Sequence, residues 1–136
     1  MKKIHVLALM IVLWAGTVNA QKPQRAKIVC GPYVQCMTET SFTVIWTTDV
    51  DAVAWVEVAP DDGTHFYNKE RDKYYDARGN GVFPIGKIHK VVVDGLEPGS
   101  TYRYRVMNRG VIAYNGSGNV QYMHGIGTDV YKGEPH

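Results

Sequence analysis

Three residue types in this chain could do chemistry: histidine, clustered aspartate and cysteine. His65, His89, His124 and His136 would be imidazole donors for a transition metal, and Asp61, Asp62 and Asp129 oxygen donors for calcium. The spacing assembles neither set. The histidines fall at irregular intervals on separate predicted strands and loops, which fits solvated or locally bonded imidazoles better than ligands. Asp61-Asp62-Gly63-Thr64 is ordinary turn chemistry, and Glu70-Arg71-Asp72-Lys73 alternates in sign as a solvated loop does. The two cysteines, Cys30 and Cys36, have no zinc-site spacing. On one extended strand they would lie about 20 Å apart at about 3.3 Å per residue, against about 5.5 Å for a disulfide. Two reduced, packed thiols are expected, although a bend at Gly31-Pro32 would bring a bridge within reach.

Aromatic residues outside the predicted strands form a further set. Tyr67, Tyr74 and Tyr75, with Phe66, lie in one long connection. Tyr114, Tyr122 and Tyr131 lie in another. Aromatics on glycine-rich loops can dock a neighbouring domain or grip a carbohydrate; they can equally fold back onto the domain's own open face.

The elements that must position these residues read almost entirely in period two. Ser41–Thr48 places Phe42, Val44 and Trp46 on one face, with only Ile45 out of pattern. Ala52–Ala59 is a continuous apolar run with one glutamate, as in a strand buried on most of both faces. Lys87–Val93 and Thr101–Val106 are further strands. Ile28–Met37 is a first strand bent at Gly31-Pro32, where proline fits an edge. No window offers a helix; the best, Asn68–Asp76, lacks an apolar stripe and reads as a loop. Thr48–Asp51 and Asp94–Ser100 are short connections, 60–86 and 110–133 long ones, and loops of that length are usually functional or docked. Short strands between turn signals imply an all-β, antiparallel, immunoglobulin-like β-sandwich. Its structural core is expected to include Trp46, Trp55, Leu96, Tyr102 and Tyr104. Arg103 and Arg105 alternate outward, and Tyr102 is placed to hydrogen-bond back to the turn before it, as the corner tyrosine of such sandwiches does.

The chain has 136 residues, enough for one domain. Lys2 and Lys3, an apolar stretch from Ile4 to Trp14 and Val18-Asn19-Ala20 have the form of a secretory signal peptide, residues 1–20, cleaved after Ala20. The apolar run is too short to span a bilayer. The expected protein is secreted or periplasmic, with no membrane span once cleaved. Removing Lys2 and Lys3 from the 15 basic residues leaves 13 against 13 acidic ones. A nucleic-acid partner needs a clustered positive field, and none is present.

"GPYVQCMTETSFTVIWTTDVDAVAWVEV" (Gly31–Val58) and "HKVVVDGLEPGSTYRYRV" (His89–Val106) resemble the N-terminal domain of secreted purple acid phosphatases and related bacterial metallophosphoesterases. The shared features are a G-P-Y-x-Q start, a threonine-rich strand ending in W-x-T and a strand of the form x-W-V-E-V. The resemblance implies a fibronectin type III-like sandwich. It also implies that hydrolysis belongs to a separate downstream domain, whose two-metal centre (iron with iron, zinc or manganese) activates water. None of that domain's motifs is complete here. Asp61-Asp62-Gly63 fits D-x-G but sits in a turn. Gly79-Asn80 precedes Gly81 where histidine is required. Asp129-Val130-Tyr131 is one residue short of G-D-x-x-Y, and neither His89 nor His124 continues as required.

The resemblance therefore implies a non-catalytic accessory domain, 21–136, of an acid phosphatase-type hydrolase. It would have no cofactor of its own, its partner would be the catalytic metallophosphoesterase domain, and that domain is expected to be absent from this chain. The alternative is a stand-alone secreted binding module for glycan or protein on the same fold. The resembled family closes its sandwich with a short F-x-F-x-T strand. Here only Asn119–Met123 could substitute, so the closing strand is expected to be missing or barely begun, leaving Thr101–Val106 as an exposed edge.

Overall fold

A computed structural model describes residues 24–76 and 83–132. The expected signal peptide and its cleavage site, Gly79-Asn80 and His136 lie outside the described residues, as do the side chains of Asp129 and Tyr131. The described strands are β1 (Ile28–Gln35), β2 (Phe42–Pro60), β3 (Asp72–Tyr75), β4 (Gly86–Val93), β5 (Tyr102–Tyr114) and β6 (Val120–Lys132). All pair antiparallel in one six-stranded sheet of order β1-β2-β5-β6, with β3 and β4 also on β2. The sheet curls on itself into a sandwich-like domain. The only helical element among the described residues is a single 3-10 turn, Phe66–Asn68.

The curl comes from β2. The expected connection at Thr48–Asp51 is not a loop: one 19-residue strand runs through it. Its first half pairs with β1 and β4, its second with β3 and β5. The β4 ladder breaks between Thr47 and Ala52, and there side chains and a neighbouring segment take over the backbone bonding. The Thr48 hydroxyl donates to the Val50 carbonyl at 2.8 Å, and Asp49 is bonded to Lys27 through both its backbone N–H and its side chain. This leaves the strand free to bend without orphaned backbone groups.

The bend folds one half of β2 over the other. Phe42, Val44 and Trp46 then share a core with Ala54, Val56, Val58, Val91, Val93, Tyr104 and Val106. Leu96 and Tyr102 pack against it, partly buried. Trp55 does not join this core. The strand keeps its parity through the bend, so Val53, Trp55, Glu57 and Ala59 line the opposite face, where Trp55 is half-buried against Tyr75.

The closing strand, expected to be missing or barely begun, is present in full. β6 covers 13 residues and pairs with β5 from Tyr114↔Val120 to Arg103↔Lys132. β5 is therefore an interior strand, not an edge. The pattern of β6 is cryptic because Gly125 and Gly127 stand where apolar side chains would face inward, and the chain's own N-terminal segment fills that space. A Cβ on Gly127 would lie 2.1 Å from the Ala26 carbonyl oxygen. The Gly125 N–H donates to the Gln24 carbonyl at 2.9 Å, and Ala26 is buried.

The long connection after Pro60 also carries structure, since β3 takes up part of the stretch read as a loop. Both cysteines are free, but exposed rather than packed. Cys30 Sγ lies 3.2 Å from the Tyr33 hydroxyl, a contact that raises the tyrosine's pKa above its usual value. The bend at Gly31-Pro32 exists. Gly31 adopts φ +88°, and a Cβ there would meet the Ile45 carbonyl oxygen at 2.9 Å.

Candidate docking surfaces

The corner between β4 and β5 is the most fully determined local structure. Asp94-Gly95-Leu96-Glu97 leaves the core after Val93, and Gly95 and Gly99 take the positive φ values such a turn demands. Two tyrosines pin it. The Tyr102 hydroxyl accepts the Glu97 backbone N–H at 3.0 Å, and the Tyr74 hydroxyl donates to the Asp94 carbonyl at 3.2 Å. Burial, then the nearby Asp72 and Asp94 carboxylates, push the Tyr74 pKa up. Tyr74, expected at a docking surface, is thus part of the fold. Tyr102→Phe and Tyr74→Phe each remove one bond, and each is expected to cost about 1–2 kcal/mol. Urea denaturation checks both; a Tyr102→Phe midpoint equal to wild type would show the bond carries nothing.

The outward face of the second half of β2 and β5 is not solvated either. Arg103 and Arg105 do point away from the core, but Phe66 covers them, with guanidinium carbons 5.3 and 4.9 Å from its ring centroid. Arg103 bonds the Pro60 carbonyl at 3.0 Å and lies near Asp61 and Asp62. Arg105 pairs with Glu57, its Nε 2.6 Å from Oε2. Glu57 Oε1 accepts from Trp55 Nε1 at 3.3 Å. Asp62 is further held by Thr64, whose hydroxyl and backbone N–H bonds lower its pKa.

The candidate metal donors are dispersed. The buried His89 bonds the Thr48 hydroxyl at 2.9 Å and packs on Trp46, His65 stacks on Tyr67, and His124 is exposed. Among the described residues no three His, Cys, Asp or Glu side chains come together. The described donors do not fit a two-metal centre. No helix among the described residues is long and apolar enough to cross a membrane.

Two clefts lie at the two ends of the sandwich. At one end a cleft of about 670 Å³ is lined by Val53, Phe83, Ile112, Tyr114, Val120 and Tyr122. Arg109 covers the Tyr122 ring at 4.4 Å, and Tyr75 makes a tilted ring contact with Phe83 at 4.6 Å. Two of the expected docking residues, Tyr114 and Tyr122, thus line this cleft, and Tyr75 reaches it only through Phe83; Phe83 and Ile112 are lining residues that the sequence reading passed over. Tyr67 stands apart, exposed beside His65. At the other end a cleft of about 360 Å³ opens onto the core between Val34, Met37, Phe42, Leu96, Tyr102 and Tyr104. Tyr104, buried in the core, and Leu96 and Tyr102, partly buried against it, thus also line a cleft.

Residues 32–122 match the family model described as the purple acid phosphatase N-terminal domain. No curated protein matches the chain.

Proposed function

This chain belongs to the purple acid phosphatase N-terminal domain family, and on that premise we propose that it is the non-catalytic accessory domain of an exported, metal-dependent phosphate-ester hydrolase. Its role is to pack against and position a catalytic metallophosphoesterase domain. The observation that carries the reading is the extent of the family match, which runs from within β1 to the first residues of β6 and takes in β2 to β5 complete. The dispersed donors support it, because two-metal hydrolysis needs ligands converging on metals about 4 Å apart. The iron, zinc or manganese of that chemistry would sit in the catalytic domain. Export rests on Lys2-Lys3, the apolar run to Trp14 and the small residues before Gln21.

The test is direct. Gln21–His136 supplied with iron, zinc or manganese is expected to hydrolyse p-nitrophenyl phosphate no faster than the metal alone. Turnover that follows metal loading and survives repurification would overturn the non-catalytic assignment.

A further inference from the structure

The open end of the sandwich beside Tyr102 has the properties of a preformed seat. Phe42 and Tyr104, with ring centroids 5.6 Å apart, both line it, and Met37 stands 64% exposed at its mouth. Its walls are tied together by hydrogen bonds. The Leu96 N–H donates to the Thr40 carbonyl at 3.0 Å, and the Thr38 N–H to the Ser41 carbonyl at 2.8 Å. With the Tyr102 bond to Glu97, these fix both sides, so an occupant would meet little ordering cost. The charged lining residues are Glu39 and Glu97, both acidic.

The strand order says what ends beside it. Lys132 at the end of β6 pairs with Arg103, the residue next to Tyr102, and β6 runs antiparallel to β5. β6 therefore ends at the start of β5, and Thr101 and Gly99, just before that start, line the same cleft. The opposite cleft lies where β6 begins, at Val120.

We infer that the Tyr102-end cleft is the seat for the domain that follows β6, which inserts an apolar side chain flanked by lysine or arginine. This rests on the accessory-domain reading above. The test compares hydrogen–deuterium exchange in this chain with that in the polypeptide translated from its whole reading frame. Backbone amides at Met37–Phe42 and Leu96–Tyr104 are expected to exchange at least tenfold more slowly in the longer protein. The pair Glu39→Lys/Glu97→Lys, at exposed positions, is expected to abolish that difference, and Tyr114→Ala at the opposite end to leave it intact. Equal exchange at the cleft in both proteins, or protection appearing at Phe83 and Tyr114 instead, would overturn the seat and leave the accessory assignment standing. A reading frame encoding no metallophosphoesterase domain would remove both.

Discussion

Trp46→Ala is expected to leave the domain largely unfolded at room temperature. Trp46 is 1% exposed at the centre of the core, and truncating a buried tryptophan costs about 3–5 kcal/mol. A second cost is particular to this site. Trp46 Nε1 donates to Asn108 Oδ1 at 2.7 Å, and Asn108 is fully buried with its Nδ2 already lacking a hydrogen-bond partner. The alanine variant strips the remaining side-chain bond from that amide, adding about 1–3 kcal/mol. Against a typical stability of about 5–15 kcal/mol, the sum is decisive. Trp46→Phe separates the two contributions, because it keeps much of the ring volume and loses the indole donor. An alanine variant whose urea midpoint lies close to wild type would show that Trp46 is not the centre of this core.

Arg105→Ala is expected to be nearly as damaging, although the residue lies on the face turned away from the core. Its partner Glu57 is buried, with a side chain only 8% exposed. Removing the arginine leaves that carboxylate with the Trp55 indole as its remaining partner. Breaking one side of a buried ion pair costs about 3–5 kcal/mol, whereas replacing both partners with apolar residues is often close to neutral. Arg105→Met combined with Glu57→Leu should therefore recover most of what Arg105→Ala loses. Thermal melts of the two single variants and the double variant decide it: additive losses would mean the pair is uncoupled and the arginine acts only through its contact with Phe66.

The strict alternations were legible in the sequence. Phe42, Val44 and Trp46, then Tyr104 and Val106, announce a core face because a strand has no other way to hide every second residue. The corner at Asp94–Tyr102 was legible for a similar reason: glycine, proline and tyrosine there each answer a local backbone demand. Trp55 was misplaced because a strand enclosed on both faces shows no alternation to say which face is the core. The unity of β2 was hidden because Thr48 and Asp49 look like turn residues, and only the distant Lys27 shows that they are bonded within a strand. β6 was missed because its inward face is made by Gly125 and Gly127. The period-two spacing of those glycines was the available signal, but glycine in a strand reads as weakness unless the segment that crosses it is known. The docking tyrosines divided by tertiary placement, which spacing cannot supply.

The crossing of Gln24–Lys27 over β6 also sets an order of events in time. Gln24 and Gly125, bonded to each other, stand about a hundred residues apart in the chain, so the contact that seals the sandwich joins its first described residues to its last strand. Contacts of that span are slow to form, since the loop they close must be ordered before they return anything. β1 to β5 can collapse as they leave the ribosome, but the core over Asn108 stays unsealed until Gly127 has been made and has found Ala26. The core is thus expected to be sealed only after β6 has been made, whatever has collapsed before it.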